Sequence, residues 1–177
     1  MPGRKLLRCL VGAAGVPREH IFCIPGNHDI DRECQKMCLL GARHFAQGQN
    51  QIDVLLSPGD DLETLLKRQE NYRSFQSSYS IGQERDKTAD GLGYVSWLSI
   101  EDLRVAIVGV DSALLAEGGA SDHGKLLIGE RQIINAIDLA IRGDPHIVIA
   151  MAHHPFHLLR ALCMNRRRGQ RGLELVR

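Results

Sequence analysis

Phe22-Cys23-Ile24-Pro25-Gly26-Asn27-His28-Asp29 is the stretch on which the reading of this chain turns. A short apolar run meets a Pro-Gly turn, and an amide oxygen, an imidazole and a carboxylate follow at once. His20 to Ile24 is expected as the first strand. A buried strand that stops on Asn-His-Asp sets a metal-ligand type, a proton donor and an orienting base at one sheet edge. Open α/β sheets bind their ligands at the carboxyl ends of strands, so the position suits chemistry. The plainer alternative is a polar turn closed by an Asx-type bond.

A second apolar run, Ile147-Val148-Ile149-Ala150-Met151-Ala152, also ends on histidine, at His153-His154-Pro155. Between the two lie the other expected elements. Arg32 to Gln47 is helical in composition, Gly48 to Gln51 breaks it, and Ile52 to Leu56 is too short to assign. Asp60 to Tyr79 reads as one helix. Asp60 is its cap and Glu63 the partner of a capping box; Leu62, Leu65, Leu66 and Gln69 share a face. Its polar face, with Lys67, Arg68, Glu70 and Arg73, reads as solvated surface. Gln83 to Asp90 is a charged loop. Tyr94 to Ile100, a turn at Glu101-Asp102, and Leu103 to Val110 form a hairpin. Ile128 to Arg142 is an amphipathic helix with Ile133, Ile134, Ile137 and Ile141 inward, stopped by Gly143. Lys5 to Ala14 reads as a short leading helix. Gly118, Gly119 and Gly124 mark a flexible loop without a phosphate-cradle pattern.

Composition fits an ordinary globular protein, with 44% apolar and 24% charged residues. Lys and Arg number 22 against 21 Asp and Glu, so bulk charge argues for neither a nucleic-acid nor a membrane partner. The apolar runs are strand-sized, far short of the roughly 20 residues of a membrane helix. Arg8 and Gly12 interrupt the leading apolar stretch, against a signal peptide. Five irregularly spaced cysteines point to reduced thiols and a cytoplasmic setting. Cys34 and Cys38, with His44 beyond, lack the second pair a zinc cluster needs and read as small core residues.

The strand-Pro-Gly-Asn-His-Asp element resembles the Gly-Asn-His-Asp/Glu signature of calcineurin-like metallophosphoesterases, and the strand-His-His-Pro element resembles that family's next metal-ligand segment. The resemblance runs from about Leu6 to about Leu159, in the family's order. It implies an α/β fold: part of a four-layer α/β/β/α sandwich with a mixed sheet. Residues 1–160 are then a partial phosphoesterase domain with a helical insertion at 31–90, and 161–177 are a basic tail. The family's Asp-x-His and Gly-Asp-x-x-Asp elements are not found before Gly26, nor its Gly-His-x-His after His154, so the chain is expected to be an internal piece of a larger domain. Ser57-Pro58-Gly59-Asp60-Asp61-Leu62-Glu63 only imitates Gly-Asp-x-x-Asp and stands in the wrong order.

The resemblance also implies roles. Asn27 and His153 are the metal ligands, one amide oxygen and one ring nitrogen on the same divalent ion; the complete domain holds two such ions, with manganese, iron and zinc not distinguished. His28 and Asp29 are the catalytic residues, the imidazole facing the scissile phosphate and the carboxylate orienting it. His154 is packed or supports its neighbour, His157 is a surface residue, and Asp111 is structural. The implied activity is hydrolysis of a phosphate ester. Two neutral ligands alone bind a cation weakly, so this chain by itself is expected to show little or no activity. The other reading is a non-catalytic remnant acting through protein contacts. Arg166-Arg167-Arg168 reads as a solvated terminus, with a nucleic-acid contact as the alternative, and the oligomeric state is open.

Overall fold

Alternation in Tyr94-Val95-Ser96-Trp97 and a nearly unbroken apolar run in Val105 to Val110 call for one strand half-covered and one fully covered, and the structure pairs them. The computed structural model describes residues 9, 11–79, 85–117, 122 and 126–155. In chain order come α1 (Lys36–Phe45), α2 (Gln49–Leu55), α3 (Asp60–Leu66), a 3₁₀ turn (Lys67–Gln69), α4 (Glu70–Tyr79), β1 (Arg85–Lys87), β2 (Gly93–Ile100), β3 (Leu103–Val110), α5 (Glu130–Arg142) and β4 (Ile147–Met151). The sheet runs β1-β2-β3-β4. β1, β2 and β3 are antiparallel neighbours and β4 is parallel to β3. The fold is α/β, with a mixed four-stranded sheet.

The β2–β3 hairpin keeps perfect register from Gly93↔Val110 to Ile100↔Leu103. Its two-residue turn puts Glu101 at φ 51°, the sign that matches the strands' right-handed twist. Val95, Ala106, Val108 and Val110 share one face and pack on Ala136 and Ala140 of α5, with Leu126 and Ile128 filling in. The stripe that α5 buries is therefore Gln132, Ala136 and Ala140, not the isoleucines. Ile133 packs partly against this core, but Ile134 is 46% and Ile141 60% exposed. Small alanines let the helix approach the sheet. Gln132 fixes its rotation, since its amide donates to the carbonyls of both Leu92 and Asp111.

The other helices form a second core. Leu39, Ile52, Leu55, Leu62 and Leu65 close over Leu92, Leu114, Leu115 and Leu127, which leave or approach the sheet. The stretch too short to assign from sequence is thus a real helix, α2, with Ile52 and Leu55 buried. α1 starts later than composition suggested, because Asp31 bends the chain by accepting the amides of Glu33 and Cys34.

The single helix expected over 60–79 is interrupted at Lys67–Gln69, and no side chain caps its start. Gly59 is the cap, while Asp60, Asp61 and Glu63 occupy the first turn, where the helix dipole favours negative charge. The interruption matters because it turns Arg68 inward. Arg68 is 1% exposed, contrary to the solvated face expected for it. Its Nη1 donates to the Leu114 carbonyl at 2.6 Å and its Nη2 to that of Ala116 at 2.8 Å. The Arg68 carbonyl in turn accepts the Asp31 amide. Burial lowers the pKa of the guanidinium, yet it holds three segments together.

Three further expectations change. The strand expected at His20 to Ile24 is a 3₁₀ turn at Arg18–His20, followed by a segment without regular structure at 21–26. Both edges of β3 are taken by β2 and β4, and this segment lies over Tyr94 and Gly109 as a strap. Side chains satisfy it: Arg85 Nη2 donates to the Ile21 carbonyl and the Tyr94 hydroxyl to that of Cys23. The charged loop expected at 83–90 contains β1, paired through Arg85↔Ser96 and Lys87↔Tyr94. Cys34 and Cys38 are not core residues: Cys34 is half-buried and Cys38 exposed, and the thiols of Cys9, Cys23, Cys34 and Cys38 are free.

Residues 11–14 are helical, as expected there. The rest of that leading helix lies mostly outside the described residues, as do the glycine loop at Gly118, Gly119 and Gly124, His157 and the Arg166–Arg168 tail. Among the described residues no helix is long and apolar enough to cross a membrane. Replacing Arg68 with Met should leave two buried carbonyls without donors and lower stability by about 2–4 kcal/mol. Urea unfolding should then show a lower midpoint with an unchanged slope.

Candidate functional site

A strand ending shortly before two histidines must send them to opposite sides. β4 does so. His154 turns inward: its backbone N–H donates to Ser112 Oγ at 3.1 Å, and its Nδ1 lies 3.0 Å from the Ser112 carbonyl. A carbonyl only accepts, so Nδ1 carries the proton. Burial, and then His153 beside it, lower the His154 pKa and keep the ring neutral. The two rings meet edge to face at 4.7 Å.

His153 turns outward, and the strap delivers Asn27 to it. His153 Nε2 lies 3.2 Å from Asn27 Oδ1, across 126 residues of sequence. The imidazole rests against the Gly26 backbone so closely that a Cβ there would sit 2.9–3.2 Å from three ring atoms. Only glycine permits that approach at this position. Asp29 closes the turn, its carboxylate accepting the Gly26 amide at 2.9 Å and its amide donating to the Gly26 carbonyl at 3.0 Å.

The structure thus brings Asn27 and His153 together and leaves His28 exposed beside them. It gives Asp29 another partner than the one expected: its carboxylate holds the turn through Gly26 rather than the His28 ring. Two donors bound at ~2.1 Å to one cation at an angle of about 100° are about 3.2 Å apart, which is the separation found here. The pair fits two positions of a cation's shell and brings no charge. Among the described residues no group of three His, Cys, Asp or Glu side chains could hold a metal ion.

Beneath the strap lies a cavity of about 350 Å³, lined by Pro25, Tyr72, Arg73, Arg85, Lys87 and Asp111 among others. The strap reaches it because Gly109 has no side chain: a Cβ there would sit 2.5 Å from the Tyr94 ring and 3.0 Å from Ile24. Arg85 stacks over the Tyr94 ring at 4.4 Å, and its Nε and Nη1 are buried with no hydrogen-bond partner. Burial pushes the Tyr94 hydroxyl up to about 12, with Arg85 opposing. Burial also raises Asp111 to about 6, against the amides of Ala113 and Leu114, the Gln69 side chain and Arg73, which all favour its charge.

Sequence reading missed this cavity. Arg73 read as solvated surface and Arg85 and Lys87 as a charged loop. The available signal was Arg85 and Lys87 two apart, the spacing that puts both on one face of a strand. No protein-family model, curated protein or solved structure matches the chain, so the site is judged by its own residues.

Asp111 gives a pH-dependent stability of definite sign. Its folded pKa, about 6, lies above the ordinary 3.8, so the unfolded chain ionises first and folding loses stability as pH rises between these values. The loss above that window is on the order of 3 kcal/mol. Asp111→Asn removes it. The stability difference between variant and wild type should shift toward the variant by about that amount between pH 4 and pH 7, read by urea unfolding at each pH.

Proposed function

We propose that this chain carries the substrate-facing edge of a metal-dependent phosphoesterase of the calcineurin-like kind, with Asn27 and His153 as ligands to one divalent cation. The observation that carries the reading is the 3.2 Å approach of Asn27 Oδ1 and His153 Nε2. Its support from sequence is the pair of motifs that supply those two atoms in the family's order. The mixed sheet, with α5 on one face, is read as one half of the four-layer sandwich. A second cation, if the full site follows the family, needs ligands beyond this pair.

When bound, a divalent cation polarises a phosphoryl oxygen and lowers the pKa of a coordinated water. The chain's own residues do the rest. Asn27 contributes an oxygen without adding charge. His153 rests against Gly26 with its Nε2 3.2 Å from that oxygen, and Nε2 must lose the proton it donates there for a cation to bind between them. His28 is exposed in the turn, and in this reading it gives a proton to a leaving oxygen. Asp29 acts through the backbone, fixing the turn that aims both Asn27 and His28.

Two neutral donors predict weak binding and slow chemistry in the chain alone. Manganese titration should give weak saturable binding that falls at least tenfold in Asn27→Ala and in His153→Ala, with hydrolysis of p-nitrophenyl phosphate slow and manganese-dependent. Metal binding that survives both substitutions in folded protein sinks the reading.

One observation favours a non-catalytic module working through protein contacts. β4 pairs with β3 on one side, its other edge has no strand among the described residues, and Ile147, Val148 and Ile149 are exposed along it. An open apolar edge invites strand pairing. Under that reading sedimentation shows concentration-dependent association that Ile149→Lys abolishes and Asn27→Ala leaves unchanged.

A further inference from the structure

The cavity under the strap has a charge balance unlike that of the chain. Its lining holds three cationic side chains, Arg73, Arg85 and Lys87, and one acidic one, Asp111. The chain as a whole is nearly neutral, at +1. Asp111 faces inward and is already occupied by the amides of Ala113 and Leu114. Arg85 is the most informative residue. One of its nitrogens is used by the Ile21 carbonyl and its plane by Tyr94, while Nε and Nη1 are buried and unmatched. Buried charged donors without acceptors are costly and rare, and a bound anion is the acceptor that suits them. Tyr72, Gln76 and Ser77 add neutral polar groups on the α4 side.

The place of the cavity narrows the ligand. Ile24 and Pro25 line it, and Asn27 follows two residues later, which at the reach of an extended chain is within about 7 Å of Pro25. A volume of about 350 Å³ lies at the small end of small-molecule pockets and excludes a polymer lying in it. We propose that this cavity binds the second anionic group of a small phosphate ester whose other phosphate lies at Asn27 and His153, so that the substrates are bisphosphates or phosphorylated acids of small-molecule size. This rests on the hydrolase reading for the role of the first phosphate, but the anion site itself does not.

Titration calorimetry with inorganic pyrophosphate tests it, using the full 177-residue chain in EDTA at low ionic strength. EDTA removes divalent cations, so the titration reads the cavity alone, whereas failure of the hydrolase reading shows in the manganese titration. Wild type should bind pyrophosphate saturably in the sub-millimolar range, and added salt should weaken it. Arg85→Gln should lose at least tenfold. Because Arg85 also holds the strap, the exposed pair Arg73→Gln with Lys87→Gln provides a second test and should likewise lose about tenfold. Lys36→Gln, on α1 beside Glu33, should bind as wild type does. Absence of saturable binding to folded wild type, or equal affinity in the Arg73/Lys87 variant, overturns the proposal.

Discussion

Where β3 ends, the chain leaves the sheet inside the protein, and the peptide groups of residues 111–116 must find partners without water. Each neighbouring element supplies one. The Asp111 amide bonds to the Leu92 carbonyl, and the Asp111 carbonyl accepts from Gln132 of α5. The Asp111 carboxylate takes the amides of Ala113 and Leu114. Arg68 reaches in from the helical layer to the carbonyls of Leu114 and Ala116, and Ser112 receives His154 from the end of β4. This buried polar junction ties sheet, helical layer and α5 into one body, and it is why a charged Arg68 is tolerated at full burial.

The candidate site is an outgrowth of that junction. Ser112 captures His154, and strand alternation then leaves His153 outside. The strap arrives from the other side of the sequence, crossing Tyr94 and the bare backbone of Gly109, and its Pro-Gly turn lets Asn27 reach His153. Two glycines, Gly26 and Gly109, are needed because an imidazole and a phenol ring occupy the space a Cβ would take. The same crossing roofs the basic cavity, so the donor pair and the cation cluster share one piece of backbone.

The hairpin, α5 and β4 were legible because their hydrophobic patterns are long and their pairings local or joined by one helix. The meeting of Asn27 and His153 was legible only through the resemblance, since nothing in composition or periodicity links residues 126 apart. The strand expected at His20 to Ile24 fails for a reason no local pattern carries: its carbonyls meet the Arg85 and Tyr94 side chains over the sheet face instead of a strand edge. The isoleucine face of α5 holds only in part, with Ile133 packed against the core and Ile134 and Ile141 exposed, because Gln132 and two alanines win the central contact through hydrogen bonds and close approach.

Sequence by itself determined the class of the fold, the β2–β3 register and the residue types gathered at the two motif ends, for these follow from side-chain period and turn chemistry. Tertiary structure alone decided that Arg68 is buried, that Asp29 serves the backbone of its own turn, and that Arg73, Arg85 and Lys87 face one cavity. Those outcomes depend on which peptide groups lack partners once the layers close, and that quantity exists only after distant segments have met.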